Sequence, residues 1–130
     1  MLPKIDKEFL DQRIGSDNYN IASEENMICI TLYNYSLPKG LNTERADLLL
    51  RLQPGYPDIA PDMWWFSPAV LALDRHSFPQ TEAIEIHLGK AWQRWSRHLN
   101  GTQWRAGIDG LENYLALIRV TIEKAVRGDF

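Results

Sequence analysis

The run Arg94-Trp95-Ser96-Arg97-His98 sets a hydroxyl two residues from an imidazole and between two guanidinium groups. A serine becomes a nucleophile when a base takes its proton, and nearby cations stabilise the oxyanion its attack creates. His98 is the candidate base, and Arg94, Arg97 and Arg105 are the candidate oxyanion partners. Residues two apart do not share a helix face, so Ser96 and His98 can cooperate only on an extended backbone. Without that chemistry, Ser96 is an ordinary helix or loop hydroxyl and His98 a solvated or hydrogen-bonded ring.

Two other chemistries are weighed and set aside. His76, His87 and His98 recur every eleven residues, but Pro79 and Gly89 interrupt any helix that could align them. No HExxH or CxxC pattern accompanies them, so no metal site and no cofactor are expected. Cys29, the one cysteine, lies in a strand-like run and reads as a small buried hydrophobe.

The 130 residues carry 14 basic and 17 acidic side chains, a net charge of −3. That balance argues against a protein that holds nucleic acid by neutralising phosphates. A single cysteine excludes an intrachain disulfide, and the charged N-terminal stretch does not read as a signal peptide. No apolar run reaches membrane-spanning length. The expectation is a cytoplasmic protein of one domain, residues 1–130.

The elements that must position these residues are read from periodicity. Ile5, Phe9, Leu10 and Ile14 form a helical stripe ended by Gly15, and residues 16–20 read as a polar turn. Residues 27–35, 45–53 and 63–66 read as strands, and residues 84–88 as a further short one. Within 45–53, Ala46, Leu48, Leu50 and Leu52 alternate with Asp47, Leu49, Arg51 and Gln53. Trp92, Trp95, Ser96 and Leu99 fall at helical spacing. The two tryptophans there are core, or an exposed platform for a partner protein. Ile108, Leu111, Tyr114, Leu115, Ile118, Ile122 and Val126 predict a long C-terminal helix. The fold class is therefore α+β: an N-terminal helix, an antiparallel meander of about four strands, and a C-terminal helix packed on the sheet.

Between the second and third of those strands, residues 48–61 read LLLRLQPGYPDIAP. Pro54, Pro57 and Pro61 each remove a backbone donor and fix φ, so the strand leaves its ladder here. The Tyr56 ring can pack on the turn while its hydroxyl finds a backbone partner. This strand–P–x–YP–xxx–P–strand corner resembles the hallmark of ubiquitin-conjugating (E2) enzymes and their non-catalytic RWD relatives. Gln103-Trp104 ahead of the last helix is similar to the tryptophan that follows the E2 catalytic cysteine. The resemblance implies a UBC-like fold over roughly residues 5–127.

In E2 enzymes the cysteine stands eight residues before that tryptophan, and here the position is Ser96. The upstream His-Pro-Asn motif is missing. His76-Ser77-Phe78-Pro79 is its nearest counterpart and lies farther from the nucleophile position than the family spacing, which implies an insertion through residues 80–89. By that likeness His76 supports the active strip, with Arg97 and Trp104 beside it. The chain also ends soon after its long helix, where E2 enzymes carry more helices.

This cysteine-free pattern resembles the divergent E2-like proteins of bacterial ubiquitin-like conjugation operons, some of which use serine through an oxyester. The resemblance implies an E1-like adenylating enzyme, a ubiquitin-like protein and a protein substrate as partners, with no nucleic acid and no membrane. It also likens Lys4, Lys7, Glu8 and Arg13 to the surface by which E2 enzymes meet E1. The function implied is a carrier that takes the modifier from the E1-like enzyme and passes it to an amine. The alternative is a non-catalytic E2-like or RWD-like module that binds such partners.

Overall fold

The structure is a computed structural model and describes residues 2–97 and 104–129. The chain begins with α1, Lys4–Phe9, which widens into one π-helical turn over Leu10–Ile14 and stops at Gly15, where φ is 96°. Leu10 is fully buried, but Ile5 of the expected stripe is 70% exposed and Asp6 takes an inward position at 3%. A 3-10 turn, Ser16–Asn18, leads to the strands.

Among the described residues, six strands form one antiparallel sheet: β1 Tyr19–Glu24, β2 Met27–Ser36, β3 Arg45–Leu52, β4 Met63–Ser67, β5 Ile84–His87 and β6 Lys90–Ser96. Their order is β1-β2-β3-β4-β6-β5. The expected count of about four is corrected in two places. β1 has a polar sequence, YNIASE, and is an edge strand without a wholly buried face, so no alternation announces it. The predicted helix through Trp92 and Trp95 is strand β6, paired with both β4 and β5. Three-residue spacing puts Trp92 and Trp95 on opposite faces of a strand, and here both faces are covered. They are 2% and 0% exposed, so neither forms an open platform.

The inner face of the sheet carries Ile30, Leu48, Leu50, Leu52, Trp64, Phe66 and Trp95, packed under α2, Leu111–Val126. The helix contributes Leu111, Tyr114, Leu115, Ile118 and Ile122, as its periodicity predicts, whereas Ile108 precedes it and is exposed. The outer face holds a second cluster of Cys29, Leu49, Trp65 and Trp92. The sheet curls around this cluster. The two edge strands, farthest apart in sheet order, meet where the Leu88 N–H donates to Glu24 Oε2 at 2.9 Å.

Among the described residues, no helix is long and apolar enough to cross a membrane.

Candidate active site

The proline corner leaves β3 at Gln53 and returns at Pro61. The Tyr56 N–H donates to the Gln53 carbonyl at 3.0 Å, and Gly55 turns the chain with φ 103°. The Tyr56–Pro57 peptide is cis. Pro54 is exposed, Pro57 half-buried and Pro61 buried, so the corner stands on the sheet with its first proline outward.

The partner of the Tyr56 hydroxyl is a side chain rather than the expected backbone group. It donates to Asp6 Oδ2 at 2.7 Å, while Asp6 Oδ1 accepts the Leu111 N–H at 2.9 Å. Leu111 opens α2, where backbone donors lack intrahelical partners, so one buried carboxyl ties α1, the corner and the start of α2 together. Burial, and then the Asp6 hydrogen bond and charge, push the Tyr56 phenol well above its ordinary pKa.

Trp104 braces the same junction. Its Nε1–H donates to the Pro57 carbonyl at 2.8 Å, and its ring lies 6.1 Å from Tyr56 and 6.4 Å from Tyr114. Between Trp104 and α2, the Arg105 N–H and guanidinium bind Asp109 at 2.8 and 3.0 Å.

Ser96 is the last residue of β6, half-buried and paired with Met63. Strand alternation puts it on the outer face with Trp92 and Arg94. Its N–H donates to the Gln80 carbonyl at 3.2 Å, and its carbonyl accepts Arg97 Nη1 at 2.8 Å. The Arg97 guanidinium also lies 5.3 Å from the Trp95 ring centroid. Burial lowers the Arg97 pKa, and the Glu82 charge works against that shift.

Arg94 is committed to Glu85 at 2.7 Å and Arg105 to Asp109, which leaves Arg97 as the arginine of the three in contact with Ser96. The chain is extended through Ser96, the backbone that pairing with His98 requires; His98 lies outside the described residues. A small cleft between the corner and the sheet is lined by Tyr56, Ile59, Pro61, Asp62 and Met63. Met63, the strand partner of Ser96, thus links the serine's end of the sheet to the corner.

His76 sits in a turn, 85% exposed, with Nδ1 3.0 Å from Asp74 Oδ2, and that carboxylate raises its pKa. Phe78 of the same segment packs on Trp95 with ring centroids 5.6 Å apart, so the segment reaches β6 through Phe78. His87 belongs to the outer face, where Nε2 meets Glu85 Oε1 at 2.9 Å.

A family model described as Prokaryotic E2 family E matches residues 2–125. The chain belongs to that family. Membership in prokaryotic E2 family E makes it a bacterial E2-like protein, as the corner and Trp104 had suggested. No curated protein and no solved structure matches it. The match covers α1, the corner and nearly all of α2, the three parts that Asp6 joins.

Two features of this family E protein escaped the sequence reading. Asp6 lies off the apolar stripe of Ile5, Phe9, Leu10 and Ile14, and its pairing with Tyr56 spans fifty residues. The polar cluster around His87 is assembled from two hairpin tips, and no local spacing announces it.

Proposed function

We propose that this protein is an E2-like carrier in a bacterial ubiquitin-like conjugation pathway, with Ser96 as the acceptor of the modifier. The observation that carries this reading is the position of Ser96. It is a half-buried residue at the C-terminal end of β6, eight residues before Trp104, which itself grips the proline corner. Attack by the Ser96 oxygen on the thioester carbonyl of a charged E1-like enzyme forms an oxyester. The Ser96 proton passes to a base, for which His98 is the candidate, and the E1 thiolate leaves. An acceptor amine then attacks the oxyester, forming an amide and returning the serine hydroxyl.

Arg97 is suited to orient this strand end, because its guanidinium already holds the Ser96 carbonyl and lies over Trp95. An oxyester is less activated than a thioester, so transfer depends on how well the acceptor amine is positioned.

One observation favours the second reading, a binding module without chemistry. His76 contacts Asp74 and His87 contacts Glu24 and Glu85, and among the described residues no contact joins either histidine to Ser96. The test is intact mass spectrometry after incubation with ATP, an E1-like enzyme and its ubiquitin-like protein. A carrier gains the mass of the modifier less one water, and Ser96→Ala gains nothing. Complex formation with a charged E1-like enzyme but without any adduct leaves the binding module.

A further inference from the structure

On the outer face, two hairpin tips converge. Both turns place two consecutive residues at positive φ, Glu25 and Asn26 at 55° and 65°, and Leu88 and Gly89 at 54° and 74°. Such turns suit tight two-residue hairpins and fix the side chains just before them. Glu24 and Glu25 come from the first tip and His87 from the second, with ligand atoms all within 4.8 Å of one another.

The His87 side chain is 8% exposed. Its Nε2 lies 2.9 Å from Glu85 Oε1, an oxygen that also accepts Trp65 Nε1–H at 3.0 Å. A carboxylate only accepts, so Nε2 carries the hydrogen, and in the neutral ring that leaves the lone pair at Nδ1. That lone pair faces Glu24 Oε1 at 3.4 Å. Neither atom has a hydrogen-bond partner among the described residues. Two buried lone pairs aimed at one another repel unless a proton or a metal ion lies between them.

The His87–Glu24 separation fits a small tetrahedral cation. Ligands bound to a tetrahedral zinc at about 2.0–2.1 Å stand about 3.3–3.4 Å apart. A histidine whose other nitrogen donates to a carboxylate is the usual support for a metal-bound imidazole. Imidazole with carboxylates suits zinc and its neighbours better than magnesium or calcium.

We propose that His87 Nδ1, Glu24 Oε1 and the Glu25 carboxylate form a divalent transition-metal site of the zinc class, with water as the fourth ligand. Glu85 orients His87, and the ion pins the β1–β2 tip to the β5–β6 tip, closing the curl of the sheet. Arg51 lies against the same carboxylates, its Nη2 3.1 Å from Glu25 Oε1 and 3.6 Å from Glu24 Oε1. Glu25 is 70% exposed, so it can give one oxygen to the ion and leave the other with Arg51.

The test uses the full chain, stripped with a chelator and titrated with zinc alone against a chromophoric competitor. Melting temperature is recorded with and without the metal. One zinc per chain binds and raises the melting temperature, and His87→Ala or Glu24→Gln abolishes both effects. Glu25→Gln changes an exposed side chain and weakens zinc binding about tenfold or more. Glu85→Gln weakens it by about 10–100-fold. The proposal is overturned if no saturable one-to-one binding occurs, or if binding survives His87→Ala and Glu25→Gln. It is equally overturned if nitrogen NMR finds a proton on His87 Nδ1 while zinc fails to bind.

Discussion

Asp6 accepts the Tyr56 hydroxyl at 2.7 Å and, through its other oxygen, the first backbone donor of α2 at 2.9 Å. A carboxyl that is 3% exposed thus links three segments spread over more than a hundred residues of sequence. Replacing it leaves two donors without acceptors in a dry place, and each such loss costs about 1–3 kcal/mol. Asp6→Ala should therefore destabilise the fold by about 2–5 kcal/mol and Tyr56→Phe by about 1–2 kcal/mol. In a double-mutant cycle by urea unfolding, the two should couple by about 0.5–3 kcal/mol. Additive effects would show that the bond contributes nothing.

Gly110 approaches the same carboxyl. A Cβ built there would stand 2.5 Å from Asp6 Oδ1. The obstacle is the end of a short side chain held by two hydrogen bonds, so relief requires giving up one of them. Gly110→Ala should cost about 1–3 kcal/mol in the Asp6 protein, as overpacking generally does. The penalty should shrink in an Asp6→Ala background, and urea unfolding of both pairs checks this.

Trp104 binds the Pro57 carbonyl through Nε1–H. Trp104→Phe keeps most of the ring but loses the donor, so about 1 kcal/mol of stability should go. The corner should loosen with it, read as faster amide exchange at Tyr56 and Asp58, whose N–H groups donate within the corner. Unchanged exchange would mean that the corner holds itself.

How far the sequence announced this arrangement depends on whether burial is one-sided and local. The alternation of Leu48, Leu50 and Leu52 against Leu49 and Arg51 predicts β3 correctly because its two faces differ in chemistry. The stripe Leu111, Tyr114, Leu115, Ile118, Ile122 predicts α2, and the prolines around Tyr56 predict the corner. β6 is misread because Trp92 and Trp95 are buried on opposite faces, and their spacing of three imitates a helix. Asp6, Glu24 and His87 become interesting only through partners far along the chain, which no periodicity reveals. Ser96 stood out through the spacing to Trp104, and its place at the end of β6 depends on the strand that periodicity missed.

Alkaline pH should weaken the fold through its tyrosines. Burial raises the phenol pKa of Tyr56, Tyr114 and Tyr35, with Asp6 adding to the effect at Tyr56 and Asp62 at Tyr114. At Tyr35 the Arg119 charge opposes the shift and Glu123 adds to it. A group whose folded pKa is raised contributes stability fully below its unfolded pKa, about 10 for tyrosine, and loses it as pH rises beyond. Urea midpoints should hold up to about pH 9 and fall above about pH 10. Tyr56→Phe should flatten part of that fall, and an unchanged slope would remove Tyr56 from the explanation.

The most direct test of the carrier reading exchanges the acceptor atom itself. Ser96→Cys and the wild-type protein are each incubated with ATP, an E1-like enzyme and its ubiquitin-like protein, and their intact masses are taken before and after added thiol. An adduct is expected on both, surviving thiol on the wild type as an oxyester and lost from Ser96→Cys as a thioester. The same adduct on both proteins with the same resistance to thiol, or none on either while the complex with the E1-like enzyme forms, would contradict the carrier reading.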